Sequence, residues 1–235
     1  MGRRYTDVMR ELVEAIVGGA HAEGGWLPTE AQLAAQLGAS RGVIREALRG
    51  LEERGLIAVH PGRGQSIRQR DHWDTRHPDV FRALIARGPE PEVVADVIEA
   101  RAVIEREAAA RAVDAATDGD LGLLKARIDA MEDALGLDTV RRFDRTDPLV
   151  VADAAFHDLL CRLSGNPVLA KLIEPLHLPL AELRRVRAPE RDRTLIVHHR
   201  RILEGLSSRD ETLAEETVSA FARQLTRWVG TRRPR

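Results

Sequence analysis

The sequence predicts a mainly α-helical protein in two parts, three helices and a short hairpin followed by a body of about seven further helices. Three observations predict it. Apolar residues recur at three- and four-residue spacing through most of the chain, strand character is confined to residues near 56–68, and glycines and N-capping residues mark the early boundaries. The 235 residues exceed the usual size of one domain. At 43% hydrophobic and 31% charged residues, the composition excludes a wholly disordered, collagen-like or coiled-coil chain.

Val8, Leu12, Ala15 and Ile16 place one helix over Thr6 to Val17, with Gly18 and Gly19 as its stop. Pro28 and Thr29 start a second, carrying Leu33, Ala34 and Leu37 inward and ending at Gly38. Ser40 caps a third that runs to about Arg54, with Val43, Ala47, Leu48 and Leu51 as its buried stripe and Gly55 as its stop. Leu56 to His60 and Gln65 to Arg68 read as two strands around a Pro61–Gly64 turn. Three helices and a hairpin, with only Gly38 to Ser40 between the second and third helices, are the order of a winged helix-turn-helix.

The body continues with a polar, Pro-broken junction at 69–78, a short helix near Asp79 to Ala86, and long helices from Pro91 to about Ala115 and from Leu121 to Leu135 after an Asp118–Asp120 break. Four more are expected over Pro148 to Leu163, Pro167 to Val186, Asp192 to Leu206 and Asp210 to Val229. The expected organisation is a head over 1–70, a linker and connector helix over 71–90, and a helical body over 91–235.

The charge of −1 hides an asymmetry, +2 over residues 1–70 and −3 over the rest. Arg41, Arg45 and Arg49 stand at i, i+4 and i+8 on the third helix, laying three guanidinium groups along the face opposite the apolar stripe. Such a comb suits a DNA groove, where Arg chelates guanine edges or holds phosphates. The same pattern also fits a solvated face, since Glu46, Glu52 and Glu53 share the helix.

No apolar run approaches the roughly 18 residues of a membrane span. Asp7, Glu11 and Glu14 interrupt the uncharged core that a signal peptide needs, so a cytoplasmic protein is expected. Cys161 is the single cysteine, which excludes an intrachain disulfide and a cysteine zinc cluster. A metal must therefore sit on His, Asp or Glu. Asp153 and His157, at i and i+4, share one helix face, a spacing that lets both hold one ion, and His199 is available from a facing helix. Zn, Ni, Mn or Fe suits such donors. A helix-surface pair and an unrelated histidine would give the same spacing. Arg101 reads from its spacing as a helix-surface residue paired with Glu105 at i+4. Cys161 and His177 read as core residues, and Asn166 before Pro167 as an N-cap.

Leu27-Pro-Thr-Glu-Ala-Gln-Leu33, Leu37-Gly-Ala-Ser-Arg-Gly-Val-Ile-Arg-Glu-Ala-Leu48, Leu51-Glu-Glu-Arg-Gly-Leu56 and Gly62-Arg-Gly64 resemble the DNA-binding domain of GntR-type regulators. The resemblance implies DNA contacts at Ser40, Arg41, Arg45 and Gly62, with Arg49 added from its place on the comb. Ala31 departs from members that carry Arg there. Asp71-His-Trp-Asp74 resembles the connector of the FadR branch, in its subset that responds to sugar acids. Arg101-Ala-Val-Ile-Glu105, Asp153-Ala-Ala-Phe-His157, Ser164-Gly-Asn-Pro167 and His199-Arg-Arg-Ile-Leu203 resemble the helical FCD sensing domain of that branch. This second resemblance implies a divalent metal on Asp153, His157 and His199, with Phe221 where a fourth ligand is often found, and an effector carboxylate on Arg101.

The expectation is a homodimeric regulator, a repressor by family habit, binding a palindromic operator in double-stranded DNA and tuned by a small carboxylate such as a sugar or hydroxy acid. It is not expected to be an enzyme or to bind membranes. The alternative is a metal-dependent hydrolase using Asp153, His157 and His199, for which the sequence identifies neither a general base nor a cleft.

Overall fold

Helix stops and caps decide the architecture of the first ninety residues. The computed structural model describes residues 4–86, 91–136, 146–177, 181 and 193–231, and the chain divides into two compact units, 1–87 and 88–235. In the first, α1 (Tyr5–Val17), α2 (Glu30–Leu37) and α3 (Arg41–Glu53) precede an antiparallel hairpin, β1 (Ile57–His60) and β2 (Gly64–Ile67), and then α4 (Pro78–Ala86). Thr29 and Gln32 form a reciprocal capping box on α2, and the Ser40 hydroxyl accepts the Val43 N–H at the start of α3. Gly55 ends α3 at φ +69°, and a Cβ there would lie 2.1 Å from the His72 carbonyl oxygen, so no larger residue fits.

The buried side of α3 is Ile44, Ala47, Leu48 and Leu51, packed on α1 and β1. The expected stripe began one residue early. Val43 is only half-buried, and Ile44, at i, i+3, i+4 and i+7 with Ala47, Leu48 and Leu51, takes the inward position instead. Residues 24–27, read as loop from sequence, run along β2: Leu27 N–H donates to Gln65 O at 2.9 Å and Ile67 N–H to Gly25 O at 2.8 Å. The connector is fastened to this unit. Arg54 donates to Gly50 O at 2.7 Å and to Asp79 Oδ2 at 3.0 Å, Trp73 Nε1 donates to Arg68 O at 3.1 Å, and α4 buries Val80 and Phe81 while packing on α1.

In the second unit α5 (Pro91–Ala115), α6 (Asp118–Gly136), α7 (Pro148–Leu163), α8 (Pro167–Ile173), α9 (Thr194–Ser208) and α10 (Glu211–Thr231) enclose one apolar core that includes Ala112, Ile128, Met131, Phe156, Leu160 and Ile202. The Asp118–Asp120 break is no break. Thr117 and Asp120 exchange side-chain caps, so α6 starts at Asp118 with its two acids at the positive end of the helix dipole. The helix expected over 167–186 ends at Ile173, and a 3-10 turn at Glu174–Leu176 follows around Pro175. The remainder of that expected helix, apart from His177 and Ala181, lies outside the described residues, as does Asp192. Arg209, left-handed at φ 57°, closes the C-terminus of α5 by donating to the carbonyls of Val113 and Ala116. Gly205 allows α9 and α10 to touch, since a Cβ there would meet the Ala214 backbone at 2.8 Å. Among the described residues no helix is long and apolar enough to cross a membrane.

Candidate functional site

Two sites emerge, one in each unit. On the head, the α3 residues Arg41, Arg45 and Arg49 are exposed along the face opposite Ile44, Ala47 and Leu51, and Ser40, the N-cap, opens the same helix. Arg45 Nε donates to Glu30 Oε2 of α2 at 2.8 Å, with the Arg side chain two-thirds exposed. Among the described residues no carboxylate pairs with Arg41 or Arg49 within ion-pair distance. Gly62 stands at the exposed tip of the hairpin, at φ +74° with nothing within 4 Å of the position of a Cβ. Such a helix can lie in a major groove while the hairpin follows the backbone.

In the helical unit the sequence-selected residues converge. Asp153 and His157 on α7 and His199 on α9 are all buried, and their donor atoms form a triangle. His157 Nε2 lies 3.0 Å from His199 Nε2 and 3.7 Å from Asp153 Oδ1, and His199 Nε2 lies 3.3 Å from the same oxygen. Donors on one cation at bond lengths of about 2.0–2.2 Å are separated by roughly 3.0–3.4 Å, so the two sides at His199 Nε2 have the size of a metal-binding face and the third, at 3.7 Å, is slightly wider.

The outer nitrogens fix the chemistry of this triangle. His199 Nδ1 lies 2.7 Å from Leu195 O, an acceptor only, so that nitrogen carries the proton and Nε2 presents its lone pair. His157 Nδ1 lies 2.9 Å from Glu105 Oε1, though the N–H is angled away from a formed hydrogen bond. A carbonyl behind one imidazole and a carboxylate behind the other are the two supports that metal-binding histidines commonly have. The donor set therefore fits a divalent cation. Burial works against a charge on His157, as does Arg101, yet Glu105 and Asp153 hold its proton affinity above the ordinary value; burial lowers that of His199. Without a cation, a single proton between the facing Nε2 atoms relieves their repulsion.

Arg101 on α5 is 5% exposed, not a surface residue, although its expected partner is correct. Its Nε donates to Glu105 Oε1, and Nη2 lies 3.7 Å from Asp153 Oδ2. Burial opposes its charge, but the two carboxylates outweigh this and raise its pKa; burial likewise opposes Glu105, whose carboxyl Arg101 and His157 nevertheless hold well below the usual range. Sequence reasoning treated Glu105 only as a surface partner. The signal for more was present: Arg101/Glu105 and Asp153/His157 share the same four-residue step on two helices.

His198 points away from the triangle, stacked on Phe221 with ring centroids 4.1 Å apart. Phe221 thus packs where the resemblance places a fourth ligand in other members. Cys161 is buried in the core, His177 lies 2.9 Å from Asp158, and Asn166 caps α8 through Val168 N–H.

A winged helix-turn-helix with an exposed Arg comb, followed by a helical unit that buries a polar, metal-sized cluster, defines a class: a DNA-binding regulator with its own sensing domain. The family model described as "Bacterial regulatory proteins, gntR family" matches residues 4–67 and that of the FCD domain matches residues 96–224. The chain belongs to the GntR family of bacterial transcription regulators, in its branch with an FCD domain. It is 29% identical over 161 residues to the galactonate operon transcriptional repressor of Escherichia coli strain K12, an alignment covering 68% of this chain and 67% of that one. It is 27% identical over 179 residues to the Glc operon transcriptional activator of the same strain, covering 74% of this chain and 66% of that one. Among solved structures, the protein titled "Lar controls the expression of the Listeria monocytogenes agr system and mediates virulence" shares the fold, with a TM-score of 0.67, 18% identity and 98% of each chain covered. Members of this family regulate transcription and are not enzymes, so the metal-hydrolase alternative has no support.

Proposed function

We propose that the chain is a homodimeric, effector-controlled repressor. Residues 1–70 read a palindromic operator, 71–90 connect, and 91–235 bind the effector and dimerise. The observation that carries this reading is the buried cluster of Arg101, Glu105, Asp153, His157 and His199. A globular core does not need it, since buried ionic groups add little net stability over an apolar core. It has the donor geometry of a ligand site.

Ser40, Arg41 and Arg45 would read or flank base edges, Arg49 and the wing at Gly62 would hold the DNA backbone, and a two-fold pair of heads would match two half-sites. Asp153, His157 and His199 would hold a divalent ion (Zn, Ni, Mn or Fe), which supplies positive charge and open positions for ligand oxygens. Arg101 would receive the carboxylate of a sugar or hydroxy acid, a task suited to its planar fork. The similarity to the galactonate operon repressor supports a sugar acid. The effector must favour the conformation poor for DNA, because equal affinity for both states shifts nothing.

A thermal-shift screen of sugar acids and other small carboxylates, with and without divalent metals, followed by operator release with each hit, tests this reading. A carboxylate that both stabilises the metal-loaded protein and dissociates it from DNA is expected. The absence of any such compound across the screen would count against it.

A further inference from the structure

Glu105 is the one charged member of the buried cluster that the reading above leaves without a task. It is 4% exposed, and a buried carboxylate is costly unless its partners need it. Its Oε1 serves two of them. The same oxygen accepts from Arg101 Nε and lies 2.9 Å from His157 Nδ1. One atom therefore joins the carboxylate receiver on α5 to a donor of the α7–α9 triangle.

We propose that Glu105 is a positioning residue that couples the two halves of the site, orienting His157 so that Nε2 faces Asp153 and His199, holding the Arg101 fork beside it, and making carboxylate binding depend on the metal. This rests on the metal and effector reading above. The dependence follows from charge. In fixed charges, Arg101 stands against both Asp153 and Glu105 among the described residues of the cluster, so even with a proton shared by the two histidines the metal-free site offers an anion no net positive charge. A divalent ion brings it to a single positive charge, which one carboxylate neutralises. Arg101 Nη1 is buried without a hydrogen-bond partner among the described residues, the N–H group left over for that carboxylate. The ligand class that fits is a monoanionic hydroxy acid.

Were Glu105 an ordinary packing residue, its neutral isostere would lower the stability of the metal-free protein and leave metal affinity unchanged. As a coupling residue it supports a ligand from behind, and loss of such support costs roughly 10- to 100-fold in metal affinity. The test uses the full-length protein with Co²⁺ as a coloured probe, its affinity measured by chelator competition and its ligand field by visible absorption. E105Q is expected to bind Co²⁺ roughly 10- to 100-fold more weakly with an unchanged visible spectrum, because the residue is not itself a donor. Glycolate, as the simplest monoanionic hydroxy acid, is expected to bind the Co²⁺-loaded wild type at one per protomer and the metal-free protein not at all. If E105Q melts before it can be assayed, the E105Q/R101M double variant removes the pair together, and the same weakening of Co²⁺ is expected. Equal Co²⁺ affinity in the variant, or an altered spectrum, overturns the positioning role; glycolate binding equally well without metal overturns the charge coupling. A wild-type protein that takes up no Co²⁺ overturns the metal reading itself, a distinct outcome.

Discussion

His157 and His199, 42 residues apart in the chain and on different helices, face each other through Nε2 atoms separated by 3.0 Å. With Leu195 O behind one ring and Glu105 behind the other, both inner nitrogens are directed to present lone pairs to the same point. Nothing in the apolar core around them demands this. A cation between them relieves the conflict, and binding to the folded state alone adds stability by mass action. At a metal concentration a thousand times the dissociation constant, the gain is about 4 kcal/mol. The melting temperature is therefore expected to rise with added Zn²⁺ or Ni²⁺ and to fall back with chelator, and H157A to lose that response. A wild-type melting curve indifferent to both metals and chelator would remove the basis for this expectation.

The Arg45–Glu30 pair lies on the exposed face of the head, where such ion pairs contribute about 0–1 kcal/mol. Arg45→Ala should therefore leave the melting temperature nearly unchanged. Operator affinity should fall by about 1–3 kcal/mol if the side chain reads a guanine. Arg49→Ala, one turn further along, should weaken binding to all DNA alike and flatten the salt dependence. Fluorescence anisotropy with operator and scrambled duplexes at several salt concentrations separates the two. Unchanged operator affinity in the Arg45 variant contradicts the assignment.

Burial holds the pKa of His198 well below the ordinary imidazole value. The unfolded chain takes up a proton there below about pH 6.5 while the folded protein does not, so ∂ΔG/∂pH is positive in that range. The stability contributed by neutral His198 is complete above the unfolded pKa and is lost as pH falls below it. In chelator, the difference between wild-type and His198→Leu melting temperatures should shift against the wild type from pH 7.5 to 5.5. A difference independent of pH contradicts the burial of a neutral imidazole.

Gly55 joins α3 to β1 with a left-handed backbone and a carbonyl oxygen where a Cβ would be. Gly55→Ala combines backbone strain of about 1–3 kcal/mol with a clash that the connector must yield to. Urea unfolding should show a loss of at least that size. A variant as stable as the wild type would mean that the connector is not fastened at His72.

How much of this was legible in the sequence follows from the range of the interactions. The caps at Ser40 and Asn166 and the helix periods are local, and they read correctly, whereas Thr29, read as the start of its helix, is the residue that caps it. Ile44 in place of Val43 reflects one residue of phase, which a short helix with apolar residues at both positions leaves open. Burial of Arg101 and Glu105 was not legible, because an Arg–Glu pair at four-residue spacing is also the commonest surface pattern, and its meaning changes only when other helices cover it. Likewise, nothing near His199 distinguishes it from His198; the choice is made by which of the two turns toward α7 and which stacks on Phe221. The pairing of residues 24–27 with β2 depends on contacts across forty residues, in a stretch with no strand periodicity.

The central claim is that a carboxylate held by Arg101 and by a metal on Asp153, His157 and His199 controls DNA binding in the other unit. The most direct measurement is operator dissociation, followed by anisotropy, as a carboxylate identified in the thermal-shift screen is titrated into metal-loaded wild type, Arg101→Ala and His157→Ala. The account predicts release of the wild type while both variants stay on the operator, with Arg101→Ala retaining its metal and His157→Ala losing it. Release of both variants at the wild-type concentration of effector would contradict it.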